Sequence, residues 1–265
     1  MTTIFHISDL HFGLEDREAL AWVREAIERE RPALVAITGD LTMRARHREF
    51  RAACQWISDL PVPVTVEVGN HDMPYFNLLE RFVTPYRRFH AIETVIEREI
   101  DLPGISVVPL KTVTAVQPRF PWVEGWVRPA ALEATLAAID ALPKGTQVLV
   151  AAHHPLLERA PSGRRLTIGG DKAMAALAAR KVAGVLTGHV HDPFDLVQET
   201  PHGPLRMIGA GTLSKRLRAS PPSYNRIEIG PDGIKVTARN RDHFRSASIQ
   251  AGEVPTGKLP GDAAL

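Results

Sequence analysis

The stretch Val62–Asp72, VPVTVEVGNHD, is an apolar run that ends in the polar group Gly69-Asn70-His71-Asp72. Four other places in the chain repeat this arrangement, in which a hydrophobic strand runs out into a short polar motif. They are Asp9-Leu10-His11 after residues 4–7, Gly39-Asp40 after 33–37, His153-His154-Pro155 after 148–152, and Gly188-His189-Val190-His191 after 182–186. Side chains at the ends of several strands converge on one edge of a sheet, where open α/β folds place their sites. The motifs supply carboxylates, imidazoles and one neutral amide, which suffice for two metal ions.

The first part of the chain alternates strand and helix patterns. Helices are predicted over residues 16–31 and 47–60, between the strands at 4–7, 33–37 and 62–68. This β-α-β-α-β order predicts a mostly parallel core. Later runs at 194–198, 205–209, 224–229 and 234–238 predict hairpins, with turns at His202-Gly203 and Pro231-Asp232-Gly233. The antiparallel set predicts a second sheet packed on the first.

The middle of the chain is less regular. Residues 74–90 form an amphipathic pattern, and short strands are expected at 94–99 and 105–110. The segment 117–127 holds aromatic residues among prolines and reads as a loop, which either packs as ordinary surface or overhangs the site. Further helices are expected at 129–142 and 171–181.

Bulk composition narrows the class of protein. The 265 residues are 44% hydrophobic and 23% charged, which is ordinary for a soluble globular domain. The net charge of +2 argues against a dedicated nucleic-acid or polyanion binder, but it leaves a local basic patch open. No targeting segment and no apolar run of bilayer length is present, so a cytoplasmic location without a membrane partner is expected. We expect one domain over residues 1–242 and a mobile tail over 243–265.

The spacing within the motifs suggests how they bind ions. Asp9 and His11 lie two residues apart and leave the same face of an extended segment, so they can share one ion. Gly39 allows a sharp turn, and the two oxygens of Asp40 could bridge two ions. Periodicity does not decide between His153 and His154, because a buried strand end can use either face.

The ordered set D-x-H, G-D, G-N-H-D, H-H-P and G-H-x-H resembles the calcineurin-like metallophosphoesterase superfamily. The signature spans Asp9 to His191. The H-H-P form and the compact length look like the bacterial branch that includes class III cyclic-nucleotide phosphodiesterases and glycerophosphodiesterases. One departure is Glu67-Val68 before Gly69, where a proline commonly precedes the glycine. The resemblance implies an α/β fold of two mixed β-sheets, packed as a sandwich and flanked by helices in four αββα layers.

The resemblance also implies a ligand set and a reaction. The site would hold two divalent or mixed-valence ions, Mn, Fe or Zn. Each ion would have three ligands of its own, and one carboxylate would bridge the two ions. The first set is Asp9, His11 and His191, the second is Asn70, His153 and His189, and Asp40 bridges. The implied reaction is hydrolysis of phosphate esters, with phosphodiesters of a small molecule as the expected substrates, by a metal-bridging hydroxide.

Several individual roles follow from this assignment. His71 is the expected catalytic residue, donating to a phosphoryl oxygen or to the leaving group, and a purely supporting hydrogen bond is its alternative role. His154 would line the pocket or support the ligands. Arg44 and Arg46 follow Gly39-Asp40 and read as a solvated helix face rather than as phosphate contacts.

Two other functions compete with the small-molecule hydrolase. A nuclease could use the same metal centre but would need a basic track and stacking aromatics. A non-catalytic scaffold would have lost ligands, whereas every expected ligand position is filled. The expected partner is a small-molecule phosphate ester, nucleic acid is not expected, and a homo-oligomer stays open.

Overall fold

The computed structural model describes residues 1–96, 100, 102–120, 122–157, 167–231 and 233–241, and the backbone of 246–248. The predicted tail at 243–265 therefore lies outside the described residues, apart from a short strand at 246–248. The same holds for residues 97–99 of a predicted strand and for Asp232 of a predicted turn. None of the helices within the described ranges has the length and apolar content that a membrane crossing requires.

The secondary structure follows the predicted alternation closely. The strands are β1 Thr2–Ile7, β2 Leu34–Ile37, β3 Val64–Val66, β4 Ile105–Pro109, β5 Gly125–Trp126, β6 Gln147–Ala151, β7 Thr167–Ile168, β8 Gly184–Thr187, β9 Phe194–Thr200, β10 Gly203–Gly209, β11 Ser223–Gly230, β12 Gly233–Asn240 and β13 Ser246–Ser248. The α-helices are α1 Arg17–Glu30, α2 His47–Ser58, α3 Leu78–Val83, α4 Arg87–Ile96, α5 Pro129–Asp140 and α6 Gly170–Ala179. A single 3₁₀ turn, Asn70–Asp72, follows β3.

Two large sheets place the five motifs at one edge. The first has the order β13-β12-β11-β1-β2-β3 and the second has the order β4-β6-β8-β10-β9. Strands β1, β2 and β3 are parallel, and Ile37 is in register with both Ile7 and Val66. Strands β6 and β8 are also parallel, with Ala151 opposite Leu186. The motifs therefore leave their strands at nearly the same level of each sheet.

Three apolar layers hold the sheets and helices together. Between the sheets, Ile4 and Leu34 pack in one buried cluster with Leu149, Leu186 and Ile208. The outer face of the first sheet packs on α1, α2 and α4, and that of the second packs on α5 and α6. Each fully buried aliphatic side chain contributes about 1.5–3 kcal/mol to folding. The expected four-layer αββα sandwich is confirmed.

Local sequence signals explain why the helices begin and end where they do. The Asp16 carboxylate caps α1 by accepting from the backbone N–H groups of Glu18 and Ala19 at 3.0 and 3.1 Å. Arg31 ends α1 in a left-handed conformation, directly before Pro32. Pro129 occupies the first turn of α5, as its missing N–H allows.

The predictions for the middle of the chain need correction. Residues 74–90 contain α3 and the start of α4. The apolar side of the predicted amphipathic pattern is not buried throughout, because Leu78, Leu79 and Phe82 on α3 are exposed. The strand expected at 94–99 is wrong for its described part, because α4 continues to Ile96. Ile92 and Ile96 are both buried one helical turn apart, and that packing favours the helix.

The hairpin prediction is correct for the strands but wrong for their sheets. Hairpin β9–β10 lies in the second sheet, whereas hairpin β11–β12 joins the first sheet through antiparallel pairing of β11 with β1. The second sheet also contains the parallel strands β4, β6 and β8. Turn residues in the sequence predict only that the two strands of a hairpin pair with each other. The sheet that the hairpin joins is determined by tertiary packing.

Candidate metal centre

One group of predicted ligands meets at the end of β1. Metal-binding atoms of Asp9, His11, Asp40 and His191 all lie within 4.8 Å of one another, and all four residues are buried. His191 Nε2 is 3.0 Å from Asp9 Oδ1, and His11 Nε2 is 3.3 Å from His191 Nε2. Two imidazoles and two carboxylates at these distances match the ligands that Zn, Fe and Mn accept.

A second group of predicted ligands lies next to the first. Asn70 Oδ1 is 3.0 Å from His153 Nε2 and 3.1 Å from His189 Nδ1. Asp40 connects the groups, because its Oδ2 is 3.6 Å from His11 Nε2 and its Oδ1 is 3.5 Å from His153 Nε2. All seven predicted ligands are thus brought together, with one carboxylate facing both groups.

The polar atoms of this cluster fit a bound cation. Asp9 Oδ1 is buried and lies 3.0 Å from His191 Nε2, but no protein group meets it with the geometry of a hydrogen bond. An unsatisfied buried carboxylate oxygen costs several kcal/mol, roughly, unless an ion or a strong donor compensates it. The donor set of carboxylate, imidazole and amide groups is therefore chemically suited to two divalent ions.

The two adjacent histidines of the H-H-P motif have different surroundings. Both ring nitrogens of His154 face protein groups, with Nδ1 3.0 Å from Thr112 Oγ1 and Nε2 2.9 Å from Val123 O. His153 uses only Nδ1 in this way, at 2.7 Å from Thr38 O, and directs Nε2 at Asn70 and Asp40. Nitrogen atoms of both histidines lie within 4.8 Å of a His189 nitrogen, and His153 is the one of the two whose Nε2 also faces Asn70 and Asp40.

Val123 also shows where the predicted 117–127 loop lies. Within its described residues, the backbone carbonyl of Val123 contacts His154 Nε2, and the end of the segment, β5, pairs with β7. The loop thereby fixes the orientation of the His154 ring, which lies 4.5 Å from the His189 ring between centroids.

The backbone at the predicted ligands is strained. Eight non-glycine residues in the described part of the chain have positive φ, and five of them are predicted ligands with φ between 45° and 70°. These five are Asp9, His11, Asp40, His189 and His191. Each such conformation costs about 1–3 kcal/mol and clusters at functional sites, where the surrounding structure imposes it.

Two glycines permit a close approach of the loops that carry the ligands. A Cβ on Gly69 would collide with the backbone N and Oδ1 of Asp40, and a Cβ on Gly39 would lie 2.5 Å from His153 Nδ1. Gly39 also has a φ of 95°, which other residues adopt only with strain. The second and third motifs therefore require glycine for backbone packing as much as for turning.

Asp72 ties the loops after β2 and β3 together. Its carboxylate accepts from the backbone N–H groups of Leu41, Thr42 and Gly69 at 3.1, 2.8 and 2.9 Å. Burial and the neighbouring Asp40 carboxylate raise the pKa of Asp72 to about 7, against the effect of these donors. Asp72 thus orients the turn that presents Asn70 and takes no part in the ligand cluster.

Electrostatics favour a neutral imidazole at His189 of the second group, as metal binding requires. Burial, with smaller contributions from His154 and His153, holds the pKa of His189 well below its ordinary value. Burial and His153 lower the pKa of His154 to about 3. In the first group burial opposes the charged form of His191, but Asp9 outweighs it and raises the pKa.

His71 faces the cluster without belonging to it. Its ring stands edge-on to the His11 ring with centroids 4.8 Å apart. His71 Nδ1 is 2.7 Å from Met43 O, so in the neutral ring Nδ1 carries the proton and Nε2 is an acceptor. Burial lowers the pKa of His71, with Asp40 acting in the opposite direction.

Arg216 is a residue of this site that the sequence analysis missed. Its Nη1 is 2.7 Å from His71 Nε2 and 3.5 Å from His11 Nε2. Arg216 follows β10, which is parallel to β8 and therefore ends at the same edge of the sheet. The sequence does contain a pattern that could have indicated Arg216, because polar residues follow the apolar run at 205–209 as they follow the other strands of the site. Arg44 and Arg46, by contrast, precede α2 and do not lie on the predicted helix face. Arg44 is exposed, and Arg46 Nε is 3.8 Å from Glu49 Oε1.

Comparison with known proteins identifies the fold. Similar solved structures include a dimetal phosphatase from Danio rerio, with 15% identity, coverage of 90% of this chain and 96% of that chain, and a TM-score of 0.65. A purple acid phosphatase from yellow lupin, Lupinus luteus, has 12% identity, coverage of 98% and 57%, and a TM-score of 0.63. Phosphopantetheinyl hydrolase from Mycobacterium tuberculosis has 17% identity, coverage of 80% and 90%, and a TM-score of 0.51. No curated protein sequence matches the chain.

The family is identified by sequence as well. The model of the calcineurin-like phosphoesterase family matches residues 2–193, which include all seven predicted ligands. This match covers most of the chain and ends before Arg216. The chain therefore belongs to the calcineurin-like phosphoesterase family and is a metal-dependent hydrolase of phosphate esters.

Proposed function

We propose that this enzyme uses two divalent ions, Mn, Fe or Zn, to hydrolyse phosphodiesters of a small molecule in the cytoplasm. The observation that carries the proposal is the position of Asp40, whose two oxygens face His11 and His153 in two adjacent ligand groups. A single carboxylate placed in this way joins two metal sites into one centre.

The ligand assignment rests on the distances between the side chains. Asp9, His11 and His191 would hold the first ion, and Asn70, His153 and His189 would hold the second, with Asp40 between them. When bound, the ions would withdraw charge from the phosphoryl oxygens and make water a competent nucleophile near neutral pH. The protein's own contribution is to hold the ligands rigidly, in strained backbone conformations, inside a buried edge of the sandwich.

His71 and Arg216 would act on the substrate directly. Arg216 would donate an N–H to a phosphoryl oxygen, since its Nη1 lies at the rim of the first ligand group. His71 would donate from Nε2 to the departing oxygen after taking up a proton. The Arg216 guanidinium would supply one positive charge there, which matches the single negative charge of a phosphodiester.

Removal of metal is the first test. Dialysis against a chelator should abolish activity, and added Mn(II), Fe(II) or Zn(II) should restore it. Titration of the metal-free protein should saturate at two ions per chain, with a rise in melting temperature because the ions bind the folded state. A screen of phosphodiesters and phosphomonoesters with each metal would then define the substrate class. Full activity without metal, or saturation at one ion, would contradict the proposal.

The two histidines of the H-H-P motif provide a matched pair. His153→Ala should lower metal binding at the second site strongly, because it removes the ring nitrogen that faces Asn70 and Asp40. His154→Ala should lower stability more than metal content, because both of its nitrogens bond to protein groups. Elemental analysis and thermal unfolding of the two variants separate these effects. The reverse order of metal loss would show that His154 is the ligand.

A further inference from the structure

Helix α3 has its polarity inverted. Four of its six side chains are apolar and exposed, namely Leu78, Leu79, Phe82 and Val83 at 60%, 74%, 54% and 68%. The two charged side chains of the helix, Glu80 and Arg81, are buried at 6% and 7% exposure. A helix on the surface of a globular protein normally has the opposite arrangement.

Specific polar contacts hold α3 in this orientation. Glu80 pairs with Arg87 and Arg88, and the contact from Arg87 Nη2 to Glu80 Oε1 is 2.9 Å. Arg81 Nε donates to Ala115 O at 2.8 Å and Arg81 Nη1 donates to Pro74 O at 3.4 Å. Burying charges is costly unless they are paired and hydrogen-bonded, as they are here. The buried network thus fixes the apolar side chains of α3 toward solvent.

The exposed side chains belong to a larger surface that reaches the metal centre. We define the apolar face as Tyr75, Phe76, Leu78, Leu79, Phe82, Val83 and Phe120, each of which is exposed. Phe82 and Phe120 both contact Trp122, with ring centroids 6.1 and 6.3 Å apart. Tyr75 stacks on His71 at 6.3 Å between centroids. Contiguous exposed apolar surface of this kind marks an interaction site.

Basic residues flank the apolar face. Segments 43–48, MRARHR, and 214–218, SKRLR, contain six basic residues and no acidic residue. The guanidinium carbon of Arg46 lies 5.7 Å from the centre of the Phe76 ring, and Arg44, Arg48, Lys215 and Arg218 are exposed. Arg46 therefore borders the apolar face through Phe76, and Arg216 borders it through His71, on which Tyr75 stacks.

We propose that the apolar face docks on an anionic lipid bilayer, with the α3 side chains in the interface and the arginines against lipid phosphates. Apolar side chains combined with flanking cations are the chemistry of peripheral membrane binding. The aliphatic side chains of Leu78, Leu79 and Val83 suit lipid better than nucleic acid, which favours stacking aromatics.

The expectation of no membrane partner rested on the absence of a segment that spans a bilayer. That absence does not exclude binding at the bilayer surface. A short interfacial helix needs no long apolar run, and the orientation of α3 depends on contacts distant in sequence. The proposal is independent of the substrate of the metal centre, although it would place that centre near the lipid surface.

Vesicle binding tests the proposal directly. The wild-type protein should sediment with vesicles of phosphatidylcholine containing phosphatidylglycerol, and less with phosphatidylcholine alone. Binding to the anionic vesicles should weaken with added salt, because surface charges are screened. Leu79→Asn combined with Phe82→Asn should reduce binding by about tenfold or more, since two apolar side chains are lost from the interface.

The control is Val95→Asn, which alters a similarly exposed apolar side chain on α4, outside the apolar face. It should bind vesicles as the wild type does. All variants should keep wild-type activity on a soluble ester, which separates this inference from the metal-centre proposal. Absence of vesicle binding, equal binding by the α3 variant, or a dimer that the α3 variant disrupts would overturn the proposal. The proposal would also be overturned if the wild-type protein bound single-stranded RNA but not vesicles, and the α3 variant lost the RNA binding.

Discussion

Asp40→Ala is expected to prevent metal binding at both sites and to lower hydrolysis by about 10³-fold or more. Metal ions contribute several kcal/mol of charge stabilisation, and roughly 1.4 kcal/mol corresponds to a tenfold change in rate. Asp40 faces both ligand groups, so its loss removes a ligand from each. Asn70→Ala should weaken the second site alone, because Asn70 Oδ1 contacts only His153 and His189 among the predicted ligands. Metal titration of the two variants measures the difference.

Asp40→Asn is the matched control for charge. Asp40 Oδ1 accepts from the backbone N–H of His71 at 2.8 Å, and an amide oxygen can retain that bond. Asp40→Asn should therefore keep the turn at Asn70 but still lose metal affinity at both sites. Loss of one ion only in both Asp40→Ala and Asn70→Ala would remove the bridging assignment.

The fold was predictable wherever local pattern and topology agree. Parallel strands connected by helices must end at one edge, so the convergence of five motifs could be inferred from the order of β1, β2, β3, β6 and β8. Short apolar runs predicted most of the strands, and apolar residues at helical spacing predicted most of the helices. Sheet membership of the last hairpins could not be inferred, because β11 pairs with β1 across more than two hundred residues of sequence.

The identity of the expected metal ligands was harder to predict from the sequence than their location. His153 and His154 are equally buried, at 1% exposure each, so the pattern of apolar residues cannot separate them. Their difference arises from Val123 and Thr112, which come from other parts of the chain. Such partners are defined only by tertiary structure, as they are for Arg216.

In helix α3 the pattern of apolar residues gave a wrong prediction of which side chains are buried. Leu78, Leu79 and Phe82 have the spacing of a buried stripe, yet the pairing of Glu80 with Arg87 and Arg88 turns that stripe outward. The buried ion pairs, and not the spacing of the apolar residues, therefore determine which face of α3 is exposed. Sequence alone gives no measure of which of these two interactions dominates.

His71→Asn is expected to retain both metal ions and to lose about 10²–10⁴-fold in activity on alkyl phosphate esters. An alkoxide leaves poorly and depends on a proton from the enzyme, whereas nitrophenolate leaves without help. The loss on nitrophenyl esters should therefore be smaller. Rates on both ester types, with metal content measured alongside, test the role of His71. Loss of metal would instead assign His71 to the support of the ligands.

Arg216 makes the outcome for His71 more informative. In the structure the neutral His71 ring accepts from Arg216, so His71 could also act by holding that guanidinium against the phosphoryl group. In that case the losses on alkyl and nitrophenyl esters would be equal, and the double variant with Arg216→Gln would be no worse than the poorer single variant. If His71 protonates the leaving group and Arg216 binds the phosphoryl oxygen, Arg216→Gln should affect both ester types equally. The two losses should then combine approximately as a product on alkyl esters, because the residues act on different oxygens of the substrate.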